Sequence, residues 1–166
     1  MPVKTLDNLF HETLRDIYYA ERKIVRALPR MRRTAQSLEL QDAFDHHKEE
    51  TEDHIERLQK VFVMIDKRPR GKTCEAIDGI IEEAESIMAE FRHSPALDAG
   101  LLAAAQAIEH YEISRYGTLK AWAERLGLKD ASKLLDETLR EEAKADETLT
   151  RLAETAINSA AEARAA

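Results

Sequence analysis

Four long stretches of this chain carry the repeating apolar positions of packed helices, and each is interrupted near its middle by ionisable side chains. At the alternating 3/4 spacing of a packed seam, the first stretch reads Leu14, Ile17, Glu21, Ile24, Leu28. The second reads Leu40, Phe44, His47, Thr51, His54, Leu58, Val61, Ile65, with Glu50 three residues after one histidine and four before the other. The third reads Leu102, Ala105, Glu109, Glu112, Tyr116, Leu119, Ala123, Leu126, and the fourth Leu135, Leu139, Glu142, Asp146, Leu149, Ala153. If the four helices lie side by side, these polar groups share one level inside the bundle. An uncompensated carboxylate there costs on the order of several kcal/mol, so the pattern demands a compensating partner. Metal ions are the natural one.

The rest of the sequence is consistent with an all-α chain. With 5 Gly and 4 Pro in 166 residues, it has few of the residues that break helices. One domain is expected, covering residues 1–157, with 158–166 as a frayed, Ala-rich tail. Helices are expected over about 5–37, 39–66, 74–91, 96–126 and 129–157, with Pro29 bending or breaking the first. Thr5 is read as a start signal, Gly127 as a left-handed cap, and the basic segment 67–73 as a loop. The shorter helix at 74–91 spans about 27 Å at 1.5 Å per residue, enough to carry the chain back along the bundle. The expected fold is therefore a ferritin-like four-helix bundle with an extra crossover helix between the second and third long helices.

A net charge of −7 opposes general binding to phosphate backbones, and no nucleic-acid partner is expected. No stretch has the length of a membrane span and the N-terminus lacks the apolar core of a secretory signal, so no membrane partner and a cytoplasmic location are expected. Cys74 is the single cysteine, excluding an internal disulfide, and is read as an ordinary small residue at a helix start.

The donor inventory suits a dinuclear centre. Oxygens come from Glu21, Glu50, Glu109 or Glu112, Glu142 and Asp146, and nitrogen from His47 or His54. Imidazole favours iron, manganese or zinc over calcium or magnesium. The common bundle pattern supplies Glu-x-x-His from two helices. Here the spacings are His47-x-x-Glu50, Glu50-x-x-x-His54 and Glu142-x-x-x-Asp146, which leaves the choice of nitrogen ligand open. Glu50 and Glu142 are the bridging candidates, because Lys48–Glu50 with His54 mirrors Arg140–Glu142 with Asp146. Tyr18, Tyr111, Tyr116 and Trp122 read as core aromatics.

Several stretches resemble one family through nearly the whole chain. They are DIYYAE at 16–21, HKEET at 47–51, IERL at 55–58, AAAQAIEHYEI at 103–113 and EEAKAD at 141–146, with IEHYEISRYG at 108–117 especially specific. The chain is similar to the YciF-like bacterial stress proteins. That resemblance implies a ferritin-like bundle with a rubrerythrin-like dinuclear metal centre and a homodimer. The preferred reading is a stress-associated di-iron oxidase or peroxide-reducing protein, acting on dioxygen or peroxide and using no catalytic side chains beyond the metal ligands. The competing reading is a non-catalytic structural or interaction protein whose bundle is metal-stabilised or metal-free.

Overall fold

The computed structural model describes residues 2–162, and every regular element among them is helical. Helix α1 spans Leu6–Thr34, α2 Leu38–Met64, α3 Glu75–Glu90, α4 Leu97–Arg125 and α5 Lys129–Leu152. A five-residue π-helical turn, Ala153–Ile157, then leads into a short α6, Asn158–Ala161. The exposed α6 falls within the expected tail, whose last four residues lie outside the described part of the chain.

Local chemistry sets the helix ends. Thr5 caps α1 by accepting from the Asn8 amide, and Asn8 returns a side-chain acceptor to the Thr5 amide. Gly127 adopts φ +74° after α4, a conformation in which a Cβ is strained. Pro29 does not break α1. Its missing N–H removes one intrahelical bond, but Leu28 and Met31 beside it are fully packed, and each contributes roughly 1.5–3 kcal/mol by burial.

Cross-helix contacts give the topology. Arg32 pairs with Asp45 and Gln59 donates to Tyr18, so α1 and α2 are antiparallel. Lys120 meets Asp136 and Gln106 meets Thr150, so α4 and α5 are antiparallel too. After α2 the chain returns along α1, where the Lys72 amide donates to the Arg15 carbonyl. The crossing is close at Gly71, where a Cβ would lie 3.1 Å from Tyr19 Cβ, tighter than most packed contacts. Helix α3 then runs parallel to α1, with Asp78 against Tyr19 and Glu85 against Arg30. At its far end Asp98 accepts from the amides of Gln36 and Ser37, tying the start of α4 to the α1–α2 link. Consequently α2 and α4 run in the same direction, the crossover arrangement of a ferritin-like bundle.

The seams meet as their spacing requires. Leu14, Ile17, Ile24, Leu40, Leu58, Val61, Leu101, Leu119 and Leu135 form the apolar layers, each no more than 1% exposed. Between them lies one polar level.

Candidate metal centre

Helix α1 contributes Glu21 to that level, α2 His47, Thr51 and His54, α4 Glu109 and Glu112, and α5 Glu142. All are buried, with Glu21, Thr51, His54, Glu112 and Glu142 at 0% exposure. Thr51 donates to the carbonyl of His47 and is thereby satisfied within its own helix. The other six converge as two overlapping sets of ligand atoms, each set lying within a mutual 4.8 Å: Glu21, His54, Glu112, Glu142, and His47, Glu109, Glu112, Glu142. Both histidines therefore take part, one in each set, and Glu112 and Glu142 are common to the two.

Two of the residues singled out in the sequence stand outside both sets. Glu50 lies on the flank of α2, 3.2 Å from the exposed His46, because the seam passes from His47 to His54 through Thr51. Asp146 lies half-buried on the flank of α5, 3.1 Å from His110, with Gln106 donating to it. The α5 seam runs through Thr138 and Glu142 to Ala145 and Leu149, one position off the reading that included Leu139 and Asp146. The two similar motifs, each a Glu pair followed by a second donor, thus contribute unequally: His54 from the first and Glu142 from the second.

The electrostatics are those of closely packed acids and imidazoles. His47 Nε2 lies 3.2 Å from Glu109, and His54 Nδ1 lies 2.9 Å from Glu142 and 3.3 Å from Glu21. These approaches are close but not aligned as hydrogen bonds, and nine buried oxygen and nitrogen atoms of the six residues have no hydrogen-bond partner among the described residues. Burial raises Glu109 and Glu112 well above the usual carboxylate range, with neighbouring carboxylates adding to the effect. Burial pushes Glu142 the same way, but the close approach of the Glu109 carboxyl and the two imidazoles prevails and holds it at about 2. Burial disfavours the imidazolium of His54, yet Glu142 and Glu21 outweigh it and hold the pKa at about 11. The cluster thus balances its own charge by keeping protons on two carboxyls and on His54.

A supporting set of side chains surrounds the six. His54 Nε2 meets Glu141 Oε2 at 2.8 Å, and since the carboxylate only accepts, Nε2 carries the proton and Nδ1 faces the cluster. Arg57 holds Glu141 by a two-pronged contact of 2.6 and 2.9 Å and also reaches Thr138. A carboxylate behind a histidine in this way is the usual means of orienting a metal-binding imidazole. Tyr116, fully buried, donates its hydroxyl to Glu21. Glu141 and Arg57 escaped the sequence reading, because nothing along α5 or α2 tells which surface residues meet across the helices.

Four carboxylates and two imidazoles, with nine unpartnered atoms among them and their ligand atoms turned toward one another, could hold metal ions by charge and donor type. The fold and this level together define a ferritin-like helical bundle with a buried carboxylate–histidine cluster. Residues 5–162 match the model of a family described as a domain of unknown function, DUF892. Protein YciF of Escherichia coli K12 is 42% identical over 166 residues, covering 99% of this chain and all of that protein. The chain belongs to the YciF-like family.

Solved structures agree. That of the E. coli stress protein YciF superposes with a TM-score of 0.89 at 41% identity, covering 94% of this chain and 99% of the other. That of YcfI from Rhodopseudomonas palustris, for which a structural role has been suggested, gives 0.87 at 46% identity, covering 89% and 94%. No helix among the described residues is long and apolar enough to cross a membrane.

Proposed function

We propose that this protein is a dinuclear metalloprotein of the stress response, with iron in the centre and dioxygen or peroxide as its oxidant. The observation that carries the reading is the set of orphaned ligand atoms: among the described residues, the buried side-chain atoms left without a hydrogen-bond partner, nine of them, all lie on one level. One ion would be held by Glu21 and His54, the other by His47 and Glu109, with Glu112 and Glu142 shared. Ferrous ions bound there would supply the electrons for reducing the oxidant. Manganese and zinc suit the same donors, but zinc has no redox step to offer.

The chain's own groups support such chemistry. Glu141 and Arg57 hold His54 with its Nδ1 inward, and Tyr116 keeps a proton at Glu21. Leucine and isoleucine layers above and below the level exclude bulk water. Electrons to restore the ferrous state must come from an outside donor, which the reducing cytoplasm that belongs to this reading would supply.

A homodimer belongs to the same reading: Leu38, Val63 and Met64 are exposed on the bundle, and an interface would cover apolar surface of this kind. Light scattering across micromolar concentrations should give twice the chain mass, and a monomer throughout would remove that part. The relative from R. palustris favours a second reading, a structural protein without turnover. Elemental analysis and anaerobic ferrous loading separate the two. Two ions per chain with rapid oxidation on adding peroxide supports the enzyme, and a metal-free protein of equal stability supports the scaffold.

A further inference from the structure

Between α1, α2, α4 and α5 a narrow cavity of about 70 Å³ leads from the surface toward the His47 side of the cluster. Its inner end is bounded by His47 and Glu109, both buried, and by Phe44, Ala105 and Ile108. Its outer end opens beside exposed His46 and Lys144, past the small side chains of Ala43 and Ala145. Glu50, which stood apart from the cluster, lies at this mouth in contact with His46. The wall is therefore mostly apolar, while two unpartnered donors face the deep end.

Size and lining restrict what can travel there. An apolar cavity of about 150 Å³ accepts benzene, and one water occupies about 30 Å³. A space of about 70 Å³ thus suits a two- to four-atom molecule and excludes aromatic or branched ones. The buried apolar stretch costs a hydrated ion its shell, but costs little for a neutral solute.

We propose that this cavity is the entry channel for dioxygen or hydrogen peroxide, that it delivers them to the His47–Glu109 side of the centre, and that Ala43 and Ala145 set its size limit. The proposal rests on the dinuclear reading for its purpose, but the channel itself is testable in protein without metal. The Ala105 methyl group is 4% exposed and lies on the channel wall.

Dissolved dioxygen should therefore enhance the NMR relaxation of the Ala105 methyl in the metal-free protein several-fold over that of Ala131, which is buried away from the cavity at 1% exposure. In Ala145→Phe the enhancement should fall to the Ala131 level, while Ala121→Phe, on an exposed face of α4, should leave it unchanged. Ala43→Phe serves as the independent plug if the first variant fails to fold. In the iron-loaded protein, each plug should slow oxidation by hydrogen peroxide at least ten-fold with iron content unaltered, and the parent should discriminate strongly against cumene hydroperoxide. An Ala105 methyl relaxed no more than Ala131, or relaxed equally in parent and plugged protein, overturns the channel. Failure of the parent to take up metal overturns the dinuclear reading instead, and leaves the relaxation result standing as evidence for the channel.

Discussion

Replacing Glu112 by Leu should reverse the order of stability between the metal-free and metal-loaded forms. Glu112 has 0% exposure and neither carboxylate oxygen has a partner. In the metal-free protein burial keeps it protonated, so what remains is an unpaired buried carboxyl, which costs about 1–3 kcal/mol. Leucine has similar bulk and removes that cost, and the variant should gain about 2 kcal/mol, or ~4–8 °C in Tm for a chain of this length. With metal at about a thousand times its Kd, the parent gains ~4 kcal/mol by mass action. The variant lacks a ligand common to both sets and forfeits most of that gain, so the loaded parent should lead by about 2 kcal/mol. Guanidinium unfolding followed by circular dichroism, once with chelator and once with anaerobic ferrous iron, measures both differences. A metal-free variant less stable than its parent, or one that gains as much from iron, would falsify the argument that these carboxylates are kept for metal.

Removing Glu141 as Glu141→Ala frees His54 Nε2 and should weaken metal binding about 10–100-fold while leaving the fold intact, as read by competition with a chelating dye. Asp98→Ala deletes two charge-assisted bonds of 2.8 and 2.7 Å at the α1–α2 link and should lower stability by about 3 kcal/mol in urea unfolding; a loss below about 1 kcal/mol would count against its role as the tie. The pH profile of the metal-free protein follows from the signs of its shifts. Glu109 and Glu112 are raised from 4.5 by burial, and His54 is raised from 6.5 to about 11 by Glu142 and Glu21 against burial, so the stability they contribute is full below those unfolded values and is lost as pH rises. Glu142, at about 2, acts oppositely, and its contribution is lost as pH falls from 4.5 toward 2. Thermal melts with chelator should therefore peak near pH 4.5, where Glu142 contributes fully and Glu109 and Glu112 have only begun to lose their share, and decline from there toward pH 9, more steeply once His54 joins above 6.5, whereas a flat alkaline limb would contradict these environments.

The helices and the polar level were legible in the chain, because a helix that packs must repeat its apolar side chains every three or four residues whatever it packs against. The positions from Leu14 to Leu28, Leu40 to Val61 and Leu102 to Ala123 all proved buried where that period put them, including Glu21, both histidines, Glu109 and Glu112. Periodicity is weaker where small or amphipathic residues straddle the seam. On α5 Thr138 and Glu142 are buried while Leu139, Ala145 and Asp146 are only partly covered, and Asp146 falls outside the cluster. Pro29 likewise carries a local tendency to break the helix that the packing of Leu28 and Met31 overrides.

What only the tertiary structure decided was which groups meet. Glu112 and Glu142, and not Glu50, are common to both sets of donors, since that depends on how α4 and α5 are rotated against α1 and α2. The Glu141–Arg57 pair behind His54 and the narrow way in past Ala43 and Ala145 arise from residues more than eighty positions apart. A sequence determines the face each helix must bury through short-range periodicity. Distances between faces come from the global packing of all the helices at once, and coordination chemistry depends on those distances.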